Sequence, residues 1–170
     1  MGQTMVFRAG PPVLPMDRPV LELEQLRLQY PSSTNWTLNG LDLRLEAGET
    51  LALVGSSGCG KSTVARAVLQ LLPPDTLCEG ELRLTGEDPR QLKRAELRQL
   101  RGRAVGLVFQ DPMTRLNPLL SAGGHLLDTL RAHRPDRPAA WHRQRSEELL
   151  ERVGIGGQRF RAYPHELSGG

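Results

Sequence analysis

The sequence predicts an α/β fold with a strand–turn–helix unit at its centre, an antiparallel β-segment ahead of it and a helical segment behind it. Three observations predict this. The apolar run Thr50-Leu51-Ala52-Leu53-Val54 leads into the glycine-rich stretch Gly55-Ser56-Ser57-Gly58-Cys59-Gly60, after which Val64, Val68, Leu71 and Leu72 recur at helical spacing. Upstream of that unit, leucines alternate with charged residues in the manner of half-buried strands. From Met113 onward the alternation disappears and the apolar residues take a helical period.

In chain order, residues 1–19 carry Pro11, Pro12, Pro15 and Pro19 without periodicity and are expected to form a disordered leader, with Met16 as an alternative start. Leu21 and Leu23 alternate with glutamates, and Leu26, Leu28 and Tyr30 continue in the shifted phase, so a bulge is expected at Gln25. Pro31-Ser32-Ser33-Thr34-Asn35 is a turn-rich loop, and Leu41, Leu43 and Leu45 alternate with Asp42 and Arg44 as a second half-buried strand. Residues 50–54 read as a buried strand, and the helix that follows is expected to run until Pro73-Pro74 stops it. Alternation returns around Leu82 and Leu84, and a polar amphipathic helix covers residues 91–101. Ala104-Val105-Gly106-Leu107-Val108-Phe109 reads as a second buried parallel strand, with Gln110-Asp111-Pro112 emerging at its C-terminal edge, the ligand side of an α/β sheet. Ser121 can cap a helix bearing Leu126, Leu127 and Leu130, which Pro135 and Pro138 break. A further helix is expected over 140–153, with Glu148 and Arg152 at i,i+4 spacing and Gly154 as terminator. No internal repeat is present. The expected organisation is a leader (1–19), a β-subdomain with a partial phosphate-loop core (20–112) and a helical subdomain (113–170).

The central stretch continues Lys61-Ser62-Thr63, completing the spacing G-x-x-x-x-G-K-[ST] of the phosphate-binding loop of nucleoside triphosphatases. Gly55, Gly58 and Gly60 open backbone conformations that let successive N–H groups converge on phosphate oxygens. The helix that starts at Lys61 adds its N-terminal N–H groups and the positive end of its dipole. Lys61 supplies a mobile positive charge for the β- and γ-phosphates, and the Ser62 hydroxyl a ligand for Mg²⁺. A glycine-rich turn that binds nothing has no need of an ammonium, a hydroxyl, a strand and a helix in this order.

Composition narrows the partners. The net charge is +3, and aromatics are only 4% of residues, with no recognition module among the basic residues, so the mild basicity reads as a solvated face and not as a nucleic-acid surface. Cys59 and Cys78 have no metal-ligand spacing, and a disulfide between them is not expected, which suits a reducing cytoplasm. No apolar run approaches the roughly 20 residues of a membrane helix, no signal-peptide core is seen, and Val6 stands where a myristoylation motif needs Ser or Thr. Direct membrane insertion is therefore not expected.

The chain ends Tyr163-Pro164-His165-Glu166-Leu167-Ser168-Gly169-Gly170. With a phosphate loop, the strand-terminal Gln110 and a helical segment between them in this order, the chain resembles the ATPase subunit of an ATP-binding cassette (ABC) transporter, over residues 20–170. Residues 108–114, Leu116-Asn117-Pro118 and the terminal octapeptide are similar to the dipeptide, oligopeptide and nickel importer branch. The resemblance implies ATP and Mg²⁺ as ligands, with residues Gly55, Ser56, Ser57, Gly58, Cys59, Gly60, Lys61, Ser62 and Thr63 holding the phosphates. Tyr30 would stack on adenine, although its place in the strand alternation equally suits a core tyrosine, and Trp36 is a weaker stand-in. Gln110 would touch Mg²⁺ and the attacking water and link the site to a transmembrane permease subunit. Leu167, Ser168, Gly169 and Gly170 would contact the γ-phosphate of ATP held by a second ATPase subunit in a head-to-tail dimer at the cytoplasmic face of the membrane.

Two departures qualify that picture. Arg115 replaces a small polar residue of this branch, with no role assigned to it. The strand that bears the family's Walker B aspartate and catalytic glutamate, and the switch histidine beyond it, have no counterpart here; Glu166, His125, His133, His142 and His165 all come too early. The C-terminal part of the core is thus expected to be missing, leaving strand edges unpaired, and this chain alone is expected not to turn over ATP. The alternatives are a non-catalytic nucleotide-binding or dimer-poisoning product, and an inert gene remnant.

Overall fold

The structure, a computed structural model, describes residues 5–9, 19–111 and 113–167. The chain divides into two compact units, 1–106 and 107–170, a boundary ahead of the one expected after residue 112.

The first unit is built on a three-stranded antiparallel sheet. Strand β2 (Leu21–Gln29) lies at its centre, flanked by β3 (Leu38–Leu45) and β5 (Leu77–Leu84). The alternation breaks where expected: Gln25 takes φ +48°, and the register shifts between Leu23 and Leu26 against β3. The bulge is held from both sides. Asp42 of β3 accepts hydrogen bonds from Gln25 N and Nε2, each 2.7 Å, and Gly80 of β5 (φ +85°) leaves room for the Glu24 and Gln25 carbonyls. The extra residue keeps Leu23, Leu26 and Leu28 all on the buried face, so a strand whose polarity pattern slips still contributes three leucines to one core.

Helix α1 (Lys61–Val68) covers this face. Val64 and Ala67 pack with Leu23, Leu26, Leu28, Leu38, Leu43 and Leu82 into a single cluster. The helix ends well before Pro73. Gln70 adopts φ +52°, and the Arg101 side chain donates to the Leu69 and Gln70 carbonyls at 2.8 and 2.7 Å, satisfying the orphan acceptors of the helix end with a positive charge. Leu71, expected on the helix, is left 45% exposed. Arg101 itself closes α2 (Arg94–Arg103), where Arg101 and Gly102 leave helical geometry.

Three expectations are corrected. Within the expected leader, Met5–Ala9 forms β1, antiparallel to β4 (Thr50–Val54); residues 1–4 and 10–18 lie outside the described residues. Strand β4 is not buried: Thr50, Ala52 and Val54 are exposed while Leu51 and Leu53 pack against the core, because β1 is its ladder partner among the described residues and only one face is covered. The run 104–109 is not a strand. Val105 makes one isolated bridge to Arg101, residues 106–109 carry no regular structure, and Val108 is 90% exposed. A continuous apolar run becomes a buried strand only with a neighbour on each side, and no described strand lies beside this one.

The second unit is helical. Helix α3 (Ala122–His133) is capped by Ser121, whose Oγ accepts from Gly124 N at 3.1 Å, and α4 (Ala139–Arg152) ends before Gly154 at φ +75°. Both pack with the 3₁₀ turn Gly157–Arg161 around Phe160 and Leu150. The expected Glu148–Arg152 pair is replaced by Arg145 and Gln144, each 3.0 Å from Glu148.

Candidate nucleotide site

The loop between β4 and α1 turns sharply at two left-handed glycines, Gly58 (φ +82°) and Gly60 (φ +96°); Gly55 needs no such conformation. Gly60 is the cap residue of α1. Lacking a side chain, it supplies no competing acceptor, while its carbonyl receives Thr63 N at 2.9 Å and Val64 N at 3.0 Å. No acidic residue occupies the first turn of α1, so the positive end of the helix is not offset. Ser56, Ser57, Gly58 and Ser62 are exposed along the loop, whereas Thr63 is buried.

Lys61 turns back over the loop. Its Nζ donates to the Gly55 carbonyl at 2.8 Å and the Ser56 carbonyl at 2.7 Å, and stands 3.5 Å from Cys59 Sγ. A single ammonium thus gathers the loop's first half around itself. Its bonds go to neutral carbonyls, so a phosphate oxygen offers a stronger, charged acceptor at the same place.

Two contacts that sequence reasoning did not anticipate tie this loop to the β2–β3 connection. Tyr30 hydroxyl lies 3.2 Å from Thr63 Oγ1, and the Thr37 carbonyl and Leu38 side chain stand over Gly60. Neither leaves a signal in the sequence, because both join segments more than 20 residues apart, 33 for Tyr30 and Thr63, through tertiary packing. The other expected site residues fall in the second unit. Gln110 is exposed in a bend, and Leu167 is half-buried with its N–H on the Pro164 carbonyl at 3.2 Å. Ser168, Gly169 and Gly170 lie outside the described residues. Arg115, without an assigned role, places its guanidinium 5.3 Å from the Phe109 ring centroid.

The ABC transporter family matches residues 38–170. The chain belongs to that family. It is 39% identical to the oligopeptide transport ATP-binding protein OppD of Mycobacterium tuberculosis over 89% of its own length and 26% of that protein's. It is 37% identical to the OppD of Bacillus subtilis, covering 89% of this chain and 44% of the relative, and 37% identical to the dipeptide transport ATP-binding protein DppD of the same organism, covering 89% and 47%. This ABC chain therefore spans about a quarter to a half of the length of these curated relatives. In fold it is similar to a bacterial Atm1-family ABC exporter solved with ATP bound, with a TM-score of 0.56 and 20% identity over 93% of this chain and 26% of that one. The fold is accordingly that of an ABC ATPase, with an antiparallel sheet and four α-helices among the described residues. No described helix is long and apolar enough to cross a membrane.

Proposed function

We propose that this ABC chain carries the ATP-binding part of the motor subunit of a peptide importer. The single observation that carries the nucleotide reading is the loop itself: left-handed Gly58 and Gly60 lead into α1, and the Lys61 ammonium stands over the Gly55 and Ser56 carbonyls. The oligopeptide and dipeptide relatives support the transported class.

The donor set suits Mg·ATP. Loop amides and the N-terminal turn of α1 bind and orient the phosphates, and Lys61 exchanges its carbonyl acceptors for phosphate oxygens. The exposed Ser62 hydroxyl would hold Mg²⁺. Phosphate oxygens and water would supply further ligands, as Mg²⁺ favours. Bound there, the cation supplies neutralisation of charge on the β- and γ-phosphates. Tyr30 forms the adenine side of the site. Gln110 would touch Mg²⁺ and the attacking water and link the site to a permease subunit, and the segment from Leu167 to Gly170 would meet ATP held by a second ATPase subunit. The chain works at the cytoplasmic face of the membrane, through those partners.

Isothermal titration with Mg·ATP tests this reading. Saturable binding is expected for the 170-residue chain, without sustained turnover, and Lys61→Ala should weaken it at least about tenfold, the scale of a lost charged hydrogen bond. Absence of binding by the wild-type chain overturns the reading; steady hydrolysis abolished by Lys61→Ala overturns the assignment of this chain to binding alone.

A further inference from the structure

We propose that the Tyr30 hydroxyl is a positioning contact that couples the base side of the nucleotide site to its phosphate loop, an inference that rests on the nucleotide reading above. Tyr30 follows β2 directly, and its carbonyl accepts Ser33 N at 3.0 Å, which starts the turn. The ring is partly buried against the leucine cluster. For that packing a phenylalanine would serve. The hydroxyl adds a polar atom that needs a partner, and it finds Thr63 Oγ1 at 3.2 Å.

Thr63 is only 6% exposed and stands two residues after Lys61. A helical threonine divides its Oγ between two rotamers, one of which bonds a carbonyl of the preceding turn. The bond to Tyr30 selects the rotamer and fixes the swing of the tyrosine ring together. The same connection returns to α1 a second time. Thr37 N donates to the Leu28 carbonyl at 2.7 Å, closing the loop, and Leu38 lies against Gly60. The 30–38 segment is thus docked at two points, both within the first turn of α1 or its cap.

In a nucleotide, base and phosphates are covalently joined at a limited span. An aromatic surface held in fixed relation to the phosphate loop lowers the ordering cost of engaging both ends at once. A bare polyphosphate uses only one end and gains nothing from the link. The hydroxyl pair therefore favours ligands that carry a base as well as phosphates.

Calorimetry with two probes, Mg·ATP and Mg·tripolyphosphate, tests the proposal on the full chain. Tyr30→Phe keeps the ring and should weaken Mg·ATP about three- to tenfold, the scale of one hydrogen bond, while Mg·tripolyphosphate shifts by less than about twofold. Combining Tyr30→Phe with Thr63→Val should cost Mg·ATP no more than the larger single effect. Unchanged Mg·ATP affinity in Tyr30→Phe overturns the coupling, and equal weakening of both probes reduces the hydroxyl to a support for the fold. If the wild type binds tripolyphosphate without preferring ATP, the coupling falls and the phosphate loop stands; if it binds neither, the nucleotide reading falls first.

Discussion

Gly60 lies so close to Leu38 that a β-carbon on the glycine would stand 2.5 Å from Leu38 Cδ2 and 3.1 Å from the Thr37 carbonyl oxygen. The residue that lets the chain enter α1 is also the floor on which the β2–β3 connection rests. Its φ of +96° is a second, independent demand for glycine. Leu38 is 4% exposed and belongs to the central cluster, so it cannot swing aside into solvent. Gly60→Ala should therefore destabilise the first unit by about 2–4 kcal/mol, from backbone strain and overpacking together. Urea denaturation of the variant checks this; a midpoint equal to that of the wild type would show that the contact yields.

The second unit has its own close approach, independent of the first. Gly123 of α3 is buried beneath Phe160, and a β-carbon there would run into the phenylalanine ring. The ring is 5% exposed and lies with the Arg143 guanidinium 3.5 Å from its centroid, so little room exists for it to retreat. Gly124, the next residue, meets nothing closer than 3.4 Å. Gly123→Ala is expected to cost about 2–3 kcal/mol, whereas Gly124→Ala should change stability by less than about 1 kcal/mol. Thermal unfolding of the two variants side by side makes the comparison.

An ion pair guards the outer side of β5. Asp88 accepts from Arg90 N at 2.9 Å and from Arg90 Nη2 at 2.7 Å, and the same guanidinium donates to the Gly80 carbonyl at 3.1 Å. Burial pushes the Asp88 carboxyl up, but the hydrogen bonds and charge of Arg90 outweigh it and hold the group below the ordinary carboxylate range. The folded chain thus binds the proton less readily than the unfolded one. The resulting stability is fully present above the unfolded value of about 3.9 and is lost as pH falls through the lower folded value. Asp88→Asn should flatten this acid limb relative to the wild type. Urea midpoints measured from pH 6 down to pH 2 read it directly; identical slopes for both proteins would contradict it.

Local pattern made much of this legible. The bulge at Gln25, the Ser121 cap, the Gly154 terminator and the glycine turn into α1 each leave a mark within a few residues, because each is a matter of period, turn chemistry or backbone freedom. What escaped notice depends on distant partners. The end of α1 is set by Arg101, more than 30 residues away, and the Tyr30–Thr63 bond by the return of a hairpin onto a helix. The apolar run 104–109 is the instructive failure. Its composition is that of a buried strand, but composition supplies no neighbours, and burial is a property of the assembly around a segment.

That run gives the sharpest test of the fold as described. Residues 106–109 take part in no β-ladder, and Val108 and Phe109 are 90% and 40% exposed. Their amides should exchange with solvent through local fluctuations, well before the amides of β2 between Leu21 and Gln29, whose leucines are almost wholly enclosed. Substitution should tell the same story. Val108→Ser removes no packed atom and should alter stability by less than about 0.5 kcal/mol, the range of exposed positions, while Leu26→Ala opens a cavity in the cluster and should cost about 2–5 kcal/mol. Hydrogen exchange followed by mass spectrometry, with urea unfolding of the two variants, separates the cases. Slow exchange over 107–109 together with a large penalty at Val108 would mean that the run is paired and buried in solution, and that its apolar composition had been the better guide to its environment.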